Sequence, residues 1–226
     1  MDKPAMRFLF GDRELLLTIG DLLASPVDVI VNPADSALQH LGGLSRQLVQ
    51  QAGEQLQRDS EQIIREYGQI DTGMAVYTSA GKLPYQAVIH AVGPVMGEGE
   101  EQRKLERAVS RSLQLCEMNE WRSIAFPAIS TGNLQVPVEV CARAFYRAIT
   151  RFWDARHDCV VEKVMVCLTE RRFQAFFNAF REHGLAGPEA SQLPDKPDSD
   201  EAVGHIELSE DEIADLDDSD INKWFK

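Results

Sequence analysis

SIAFPAISTGNLQVP (residues 123–137) joins an apolar run, SIAF, to a loop of small residues centred on Ser130, Thr131 and Gly132, and then to a helical pattern that begins at Pro137. Proline suits the first turn of a helix, where its missing N–H costs nothing. The order is therefore strand, Gly-bearing loop, helix. The same order occurs earlier in the chain: VDVIV (27–31) leads into NPADSALQHLGGLS (32–45), and an apolar helical face starts at Leu44. Two such units predict an α/β protein whose central strands are covered on both faces.

Working outward, RELLLTI (13–19), MAVYT (74–78), AVIHAV (87–92) and KVMVCL (163–168) read as further short strands, each set off by turn residues such as Gly20-Asp21, Thr72-Gly73 and Gly93-Pro94. Helical periodicity covers 44–67 with a break at Gly53, then 101–119, 137–153 and 170–183, with Gly184 as a C-cap. Strands alternating with helices predict a three-layer α/β/α domain over residues 1–185.

Composition narrows the function classes. The chain has 226 residues, with 23 Lys+Arg against 36 Asp+Glu, a formal charge of -13. Residues 188–226 hold 13 acidic and 3 basic side chains, leaving 23 acidic and 20 basic in the rest. The acidity thus belongs to the C-terminal segment, and the domain is nearly neutral. A net negative chain argues against general, charge-driven nucleic-acid binding. No stretch approaches the roughly 18 apolar residues of a membrane span. MDKPAMRFLFGDRELL at the start has no charged-then-apolar signal pattern, so a cytoplasmic protein is expected. Cys116, Cys141, Cys159 and Cys167 form no CxxC pair and read as buried reduced thiols rather than a metal site.

The two loops carry the chemistry. Glycines at 42 and 43 let the backbone approach a ligand closely, and the N–H groups that open a helix are unsatisfied and favour an anion. The plainer alternative is a flexible connection. Neither loop is a Walker A or a GxGxxG fingerprint. In open α/β sheets ligands sit outside the carboxyl ends of the strands, where two such loops could clamp two adjacent phosphates.

In order along the chain stand Gly20-Asp21-Leu22, VIVNPAD (29–35), Gly42-Gly43-Leu44, Ala52-Gly53, Thr72-Gly73, Leu83-Pro84, VIHAVGP (88–94) and FPAISTG (126–132). This series resembles the macrodomain, an ADP-ribose-binding module, over roughly residues 15–180. AGKLPYQAVIHAVGP (80–94) is especially similar to macrodomains of poly-ADP-ribose-polymerase-like proteins. The resemblance implies a mixed, mostly parallel central sheet and ADP-ribose, free or attached to protein, in a cleft across the strand ends, with no metal or redox cofactor. It implies that Asp21, followed by Leu22, accepts from the adenine 6-amino group, a role for which the alternative is a turn or N-cap residue. Asn32 would lie near the distal ribose. Gly42, Gly43 and Leu44 would hold one side of the diphosphate, and Ser130, Thr131, Gly132 and Asn133 the other. His90, inside an apolar strand, reads as a core histidine.

Several positions depart from the pattern of catalytic macrodomains. Their second loop asparagine is Asp35 here, the first glycine of their triplet is Leu41, and their catalytic aspartate falls on Ser45. The aromatic that packs on the distal ribose aligns with Leu134, and Thr169 stands where an aromatic sometimes stacks on adenine. Backbone phosphate binding survives such changes. Hydrolysis of an ADP-ribosyl bond or of O-acetyl-ADP-ribose needs an activated water, and a serine at 45 is a poor general base without a partner. Asp35 has three readings: acceptor of a ribose hydroxyl, general base, or Asx-turn residue without ligand contact. Residues 186–204 read as a linker, and 205–226 as a disordered acidic tail. In that tail Trp224 and Phe225 could anchor a protein partner, which would make the chain an adaptor.

Overall fold

The computed structural model describes residues 3–156 and 158–182. Its elements follow as β1 (Lys3–Phe10), β2 (Arg13–Ile19), a 3-10 turn (Leu22–Ala24), β3 (Val29–Ala34), α1 (Gly43–Ala52), α2 (Glu54–Tyr67), β4 (Ala75–Ser79), β5 (Ala87–Val92), α3 (Glu101–Met118), β6 (Ser123–Pro127), α4 (Val138–Asp154), β7 (Lys163–Leu168) and α5 (Glu170–Glu182). The strands make one sheet in the order β1-β2-β7-β6-β3-β5-β4. The inner strands β2, β7, β6, β3 and β5 run parallel, and the two edge strands pair antiparallel. The sheet is thus mixed and mostly parallel, as expected.

Strict alternation along the inner strands builds two cores. Val29, Val31, Ile89, Ile124, Phe126, Val164 and Val166 join a large cluster with residues of α3, α4 and α5. Their neighbours Ile30, Val88, Ala125, Met165 and Cys167 join a smaller one with Leu48 and Ala52 of α1 and Leu56 of α2. Both faces are therefore apolar, which is why these strands read as continuous hydrophobic runs. Phe126 meets Phe145 edge-on at 5.4 Å, and Phe145 meets Phe176 likewise at 5.7 Å, tying α4 and α5 to the sheet.

Two strand boundaries correct the sequence reading. β1 adds a strand that the sequence does not signal: KPAMRFLF lacks clean alternation and carries Pro4, which is tolerated because β1 is an edge strand. β3 runs on through Asn32-Pro33-Ala34 instead of yielding to a loop at Asn32, because β5 stays paired with it as far as Val92. Three of the four cysteines are buried, but Cys159 is half-buried, its thiol donating to Glu117 at 3.2 Å. The expected Gly184 cap and the segment 186–226 lie outside the described residues. Among the described residues no helix is long and apolar enough to cross a membrane.

Asp28, just before β3, fastens three strands at their amino ends. Its Oδ2 accepts from the Arg122 N–H, the Ser123 N–H and the Ser123 hydroxyl, each at 2.9 Å, and its Oδ1 accepts from Gln86 at 3.2 Å. One polar line crosses the smaller core. His90 of β5 is fully buried, opposite Asn32 of β3. The Thr78 hydroxyl donates to the Ser79 carbonyl, so it accepts from His90 Nε2–H at 2.9 Å. His90 Nδ1 then accepts from the Asn32 amide at 3.0 Å. His90 is the satisfied core histidine that its apolar strand suggests.

Two outcomes follow for stability. Asp28→Ala leaves two backbone N–H groups without their acceptor, and should cost about 1–3 kcal/mol in urea unfolding. Burial, with His40 nearby, holds the pKa of His90 well below the ordinary 6.5, so the folded ring stays neutral. Below about pH 6.5 the unfolded chain binds a proton that the folded chain refuses. The stabilisation is therefore complete above that pH and falls as the pH drops, by up to ~1.4 kcal/mol per unit for this one group. Urea titrations at about pH 7.5 and about 5.5 should show the loss in the wild type, and a shallower slope in His90→Gln.

Candidate functional site

The cleft arises where two neighbouring strands part company. β3 and β6 pair only at Val29↔Ile124 and Ile30↔Ala125. Beyond Ile30, β3 keeps only β5 as a partner, while β6 stays with β7 as far as Pro127. The helices that follow them cover opposite faces, α1 with the smaller core and α4 with the larger. This is a topological switch point at the carboxyl edge of the sheet. The two loops singled out from the sequence leave here.

The first loop is held by its own side chains. Asp35 Oδ1 accepts from the N–H groups of Ala37 at 2.9 Å and Gln39 at 3.2 Å, and Oδ2 also accepts from Gln39. Both carboxylate oxygens thus accept within the turn, and the exposed group keeps acceptor capacity beyond it. Leu38 (φ 50°) and His40 (φ 56°) occupy the left-handed region that non-glycine residues avoid. Such conformations persist where surrounding contacts fix them. Leu38 is fully packed, and His40 is tied on both ring nitrogens.

His40 is a residue that the sequence reading passed over. Its Nε2 lies 2.9 Å from Ser60 Oγ, whose hydroxyl donates to the Leu56 carbonyl at 2.9 Å. Ser60 therefore accepts, Nε2 carries the proton, and Nδ1 presents its lone pair. Two donors share that lone pair: the Ser45 hydroxyl at 3.0 Å and the Asn32 amide at 3.2 Å. Burial lowers the His40 pKa, against a smaller upward pull from the Asp35 carboxylate. Nothing local marks this arrangement, because Asn32, His40, Ser45 and Ser60 sit at unrelated spacings.

α1 begins just past these groups. Gly42 is its N-cap and supplies no capping side chain, and Gly43 has φ 52° with open space beside it. The first-turn N–H groups of Gly43, Leu44 and Ser45 are of the kind that gathers anions. Across the gap, the second loop turns through Ser130 (φ 62°). It is pinned by Val136 N–H to the Ser130 carbonyl at 3.0 Å, by Arg172 to the Thr131 carbonyl at 3.2 Å, and by Met96 N–H to the Leu134 carbonyl at 2.9 Å. Gly132 and Asn133 are exposed at its tip. A Cβ built on Gly42 would stand 3.3 Å from Asn133 Nδ2, so the loops face each other closely.

Each side also holds a buried polar atom that lacks a partner. Among the described residues these are Asn32 Oδ1 and Ser130 Oγ. Gly93, at the end of β5, makes room for the second: a Cβ there would lie 2.2 Å from Ser130 Oγ. Asp21 stands on the same edge of the sheet, past the end of β2. Its Oδ1 caps the 3-10 turn by accepting from Leu23 N–H at 3.0 Å, and Leu22 is buried beneath. Among the described residues no group of three or more His, Cys, Asp or Glu side chains could hold a metal ion.

Comparison with known proteins accords with this geometry. The sequence model of the Macro domain matches residues 31–145. The human protein mono-ADP-ribosyltransferase PARP14 is 41% identical over 172 residues, which are 74% of this chain but only 10% of that protein. An O-acetyl-ADP-ribose deacetylase of Escherichia fergusonii is 38% identical over 167 residues, 73% of this chain and 94% of that one. The structure of an Oceanobacillus iheyensis macrodomain with ADP superimposes with a TM-score of 0.73 at 26% identity, over 78% of this chain and 95% of that one. The chain belongs to the Macro domain family.

Proposed function

We propose that residues 1–185 form a binding domain for ADP-ribose, free or attached to protein, in the cleft between the ends of β3 and β6. The observation that carries this reading is the facing pair of loops beside the uncapped start of α1, with a buried polar atom lacking a partner at the end of β3 and another at the root of the second loop. Gly42, Gly43, Leu44 and Ser45 line one side of the diphosphate, and Ser130, Thr131, Gly132, Asn133 and Leu134 the other. Asn32 Oδ1 accepts from a hydroxyl of the distal ribose. Asp21 keeps one oxygen on its turn and offers the other to the adenine 6-amino group, beside Leu22. The relatives support the reading through their names: one acts on O-acetyl-ADP-ribose, and one was solved with ADP.

No metal or redox cofactor is needed for such binding, and the site is read as working in the cytoplasm. The acidic segment 205–226 is read as a separate docking peptide for a protein partner, joined by the linker from residue 186. A second reading, turnover of an ADP-ribose ester, is favoured by the engaged Ser45–His40 pair. Asp35 organises the loop in both readings through Ala37 and Gln39, and its exposed Oδ2, which accepts once, is also open to a ribose hydroxyl or an attacking water.

Calorimetry tests the binding. Heat of binding with ADP-ribose is expected, and its absence up to about 1 mM ligand would overturn the proposal. Asp21→Ala should weaken binding about tenfold, the worth of one hydrogen bond to a charged group. The hypoxanthine analogue, with an oxygen in place of the amine, should bind the wild type comparably weakly. Gly93→Ala should also lose affinity, because the new methyl must displace Ser130 from the root of the second loop.

A further inference from the structure

We infer that Ser45 and His40 form a nucleophile–base pair that cleaves a small acyl ester carried on a ribose hydroxyl of the bound ligand. The inference rests on the ADP-ribose reading and adds to it a reaction with a covalent intermediate on Ser45.

Three observations carry it. First, the hydroxyl and the base are already joined: Ser45 Oγ lies 3.0 Å from His40 Nδ1, and the tautomer forced by Ser60 leaves that nitrogen as the acceptor. A nucleophile bonded to a base, with the base oriented by a third group, is the arrangement that activates a serine. Second, Ser45 belongs to the first turn of α1, whose dipole favours negative charge there. The alkoxide and the tetrahedral oxyanion of acyl transfer both need that potential. Third, the unpartnered Asn32 Oδ1 belongs to the same cluster, since the Asn32 amide lies 3.2 Å from His40 Nδ1. A ribose hydroxyl held by Asn32 would place the neighbouring ester beside Ser45. Ser45 is 6% exposed, so its hydroxyl is held largely out of bulk water.

Water is the one further reactant. Ser45 Oγ bonds to the ester carbonyl carbon as its proton passes to His40 Nδ1. The carbon–oxygen bond to the sugar then breaks, and His40 returns the proton to the departing ribose oxygen. Water next attacks acyl-Ser45, giving its proton to His40, and the carboxylic acid leaves as Ser45 recovers its hydrogen. Burial keeps His40 neutral and ready to accept at neutral pH.

The test uses the full chain with O-acetyl-ADP-ribose as probe. Wild type should release acetate, and rapid acid quenching followed by mass spectrometry should find an acetyl group on the peptide containing Ser45. Ser45→Ala should lose at least ~100-fold in turnover at saturating ligand, a typical scale for losing the group that bonds to the base. His40→Gln should fall equally far. Turnover by Ser45→Ala within about threefold of wild type would overturn the inference, as would a wild type that binds ADP-ribose but yields no acetate or no acetyl-Ser45. The trapping experiment needs no variant, so it decides even if Ser45→Ala folds poorly. A wild type that fails to bind ADP-ribose would instead overturn the binding reading itself.

Discussion

The carboxylate of Asp28 sets the geometry on which the cleft depends. It binds the start of β6 to the start of β3 through three hydrogen bonds and reaches β5 through Gln86. A parallel pair has no hairpin to set its register, so a polar tie at one end has an outsized effect. With the amino ends pinned, the two strands share only two paired positions before they separate. The wedge that opens beyond Ile30 holds the two loops, the start of α1 and the two unpartnered polar atoms.

The two cores explain how much of this could be read from residues. SIAF and KVMVCL are apolar at successive positions because Ile124 and Ala125, or Val164 and Met165, pack in different clusters. A continuous apolar run therefore identified inner strands. β1 escaped notice because an edge strand covered on one side needs less regular patterning, and Pro4 argues locally against it. The loops were legible because glycine before a helix has a backbone meaning that survives without neighbours. The Asn32–His40–Ser45–Ser60 cluster was not legible. Its members come from a strand, a loop and two helices, and only the tertiary fold makes them neighbours. The same holds for Gly93, whose missing side chain matters because Ser130 fills the space.

The charge of -13 bears little on the cleft. Most of it resides in residues 188–226, and the remaining domain is close to neutral. The field at the cleft is the local one of oriented N–H groups at the start of α1, which acts within a turn of the helix and falls off beyond it. Screening at physiological salt limits the reach of a surface charge to about 8 Å, so the formal charge of the whole chain does not decide what the cleft holds.

The contact between Ser130 and Gly93 has a mechanical consequence. The root of the second loop rests against the end of β5 with no more clearance than a hydroxyl requires, and Arg172 braces it from α5. The root is therefore a fixed post, while Gly132 and Asn133 project beyond it into open surroundings. A side chain added at Gly132 would therefore enter open space and leave the loop where it is, whereas one added at Gly93 would have to push the whole loop aside.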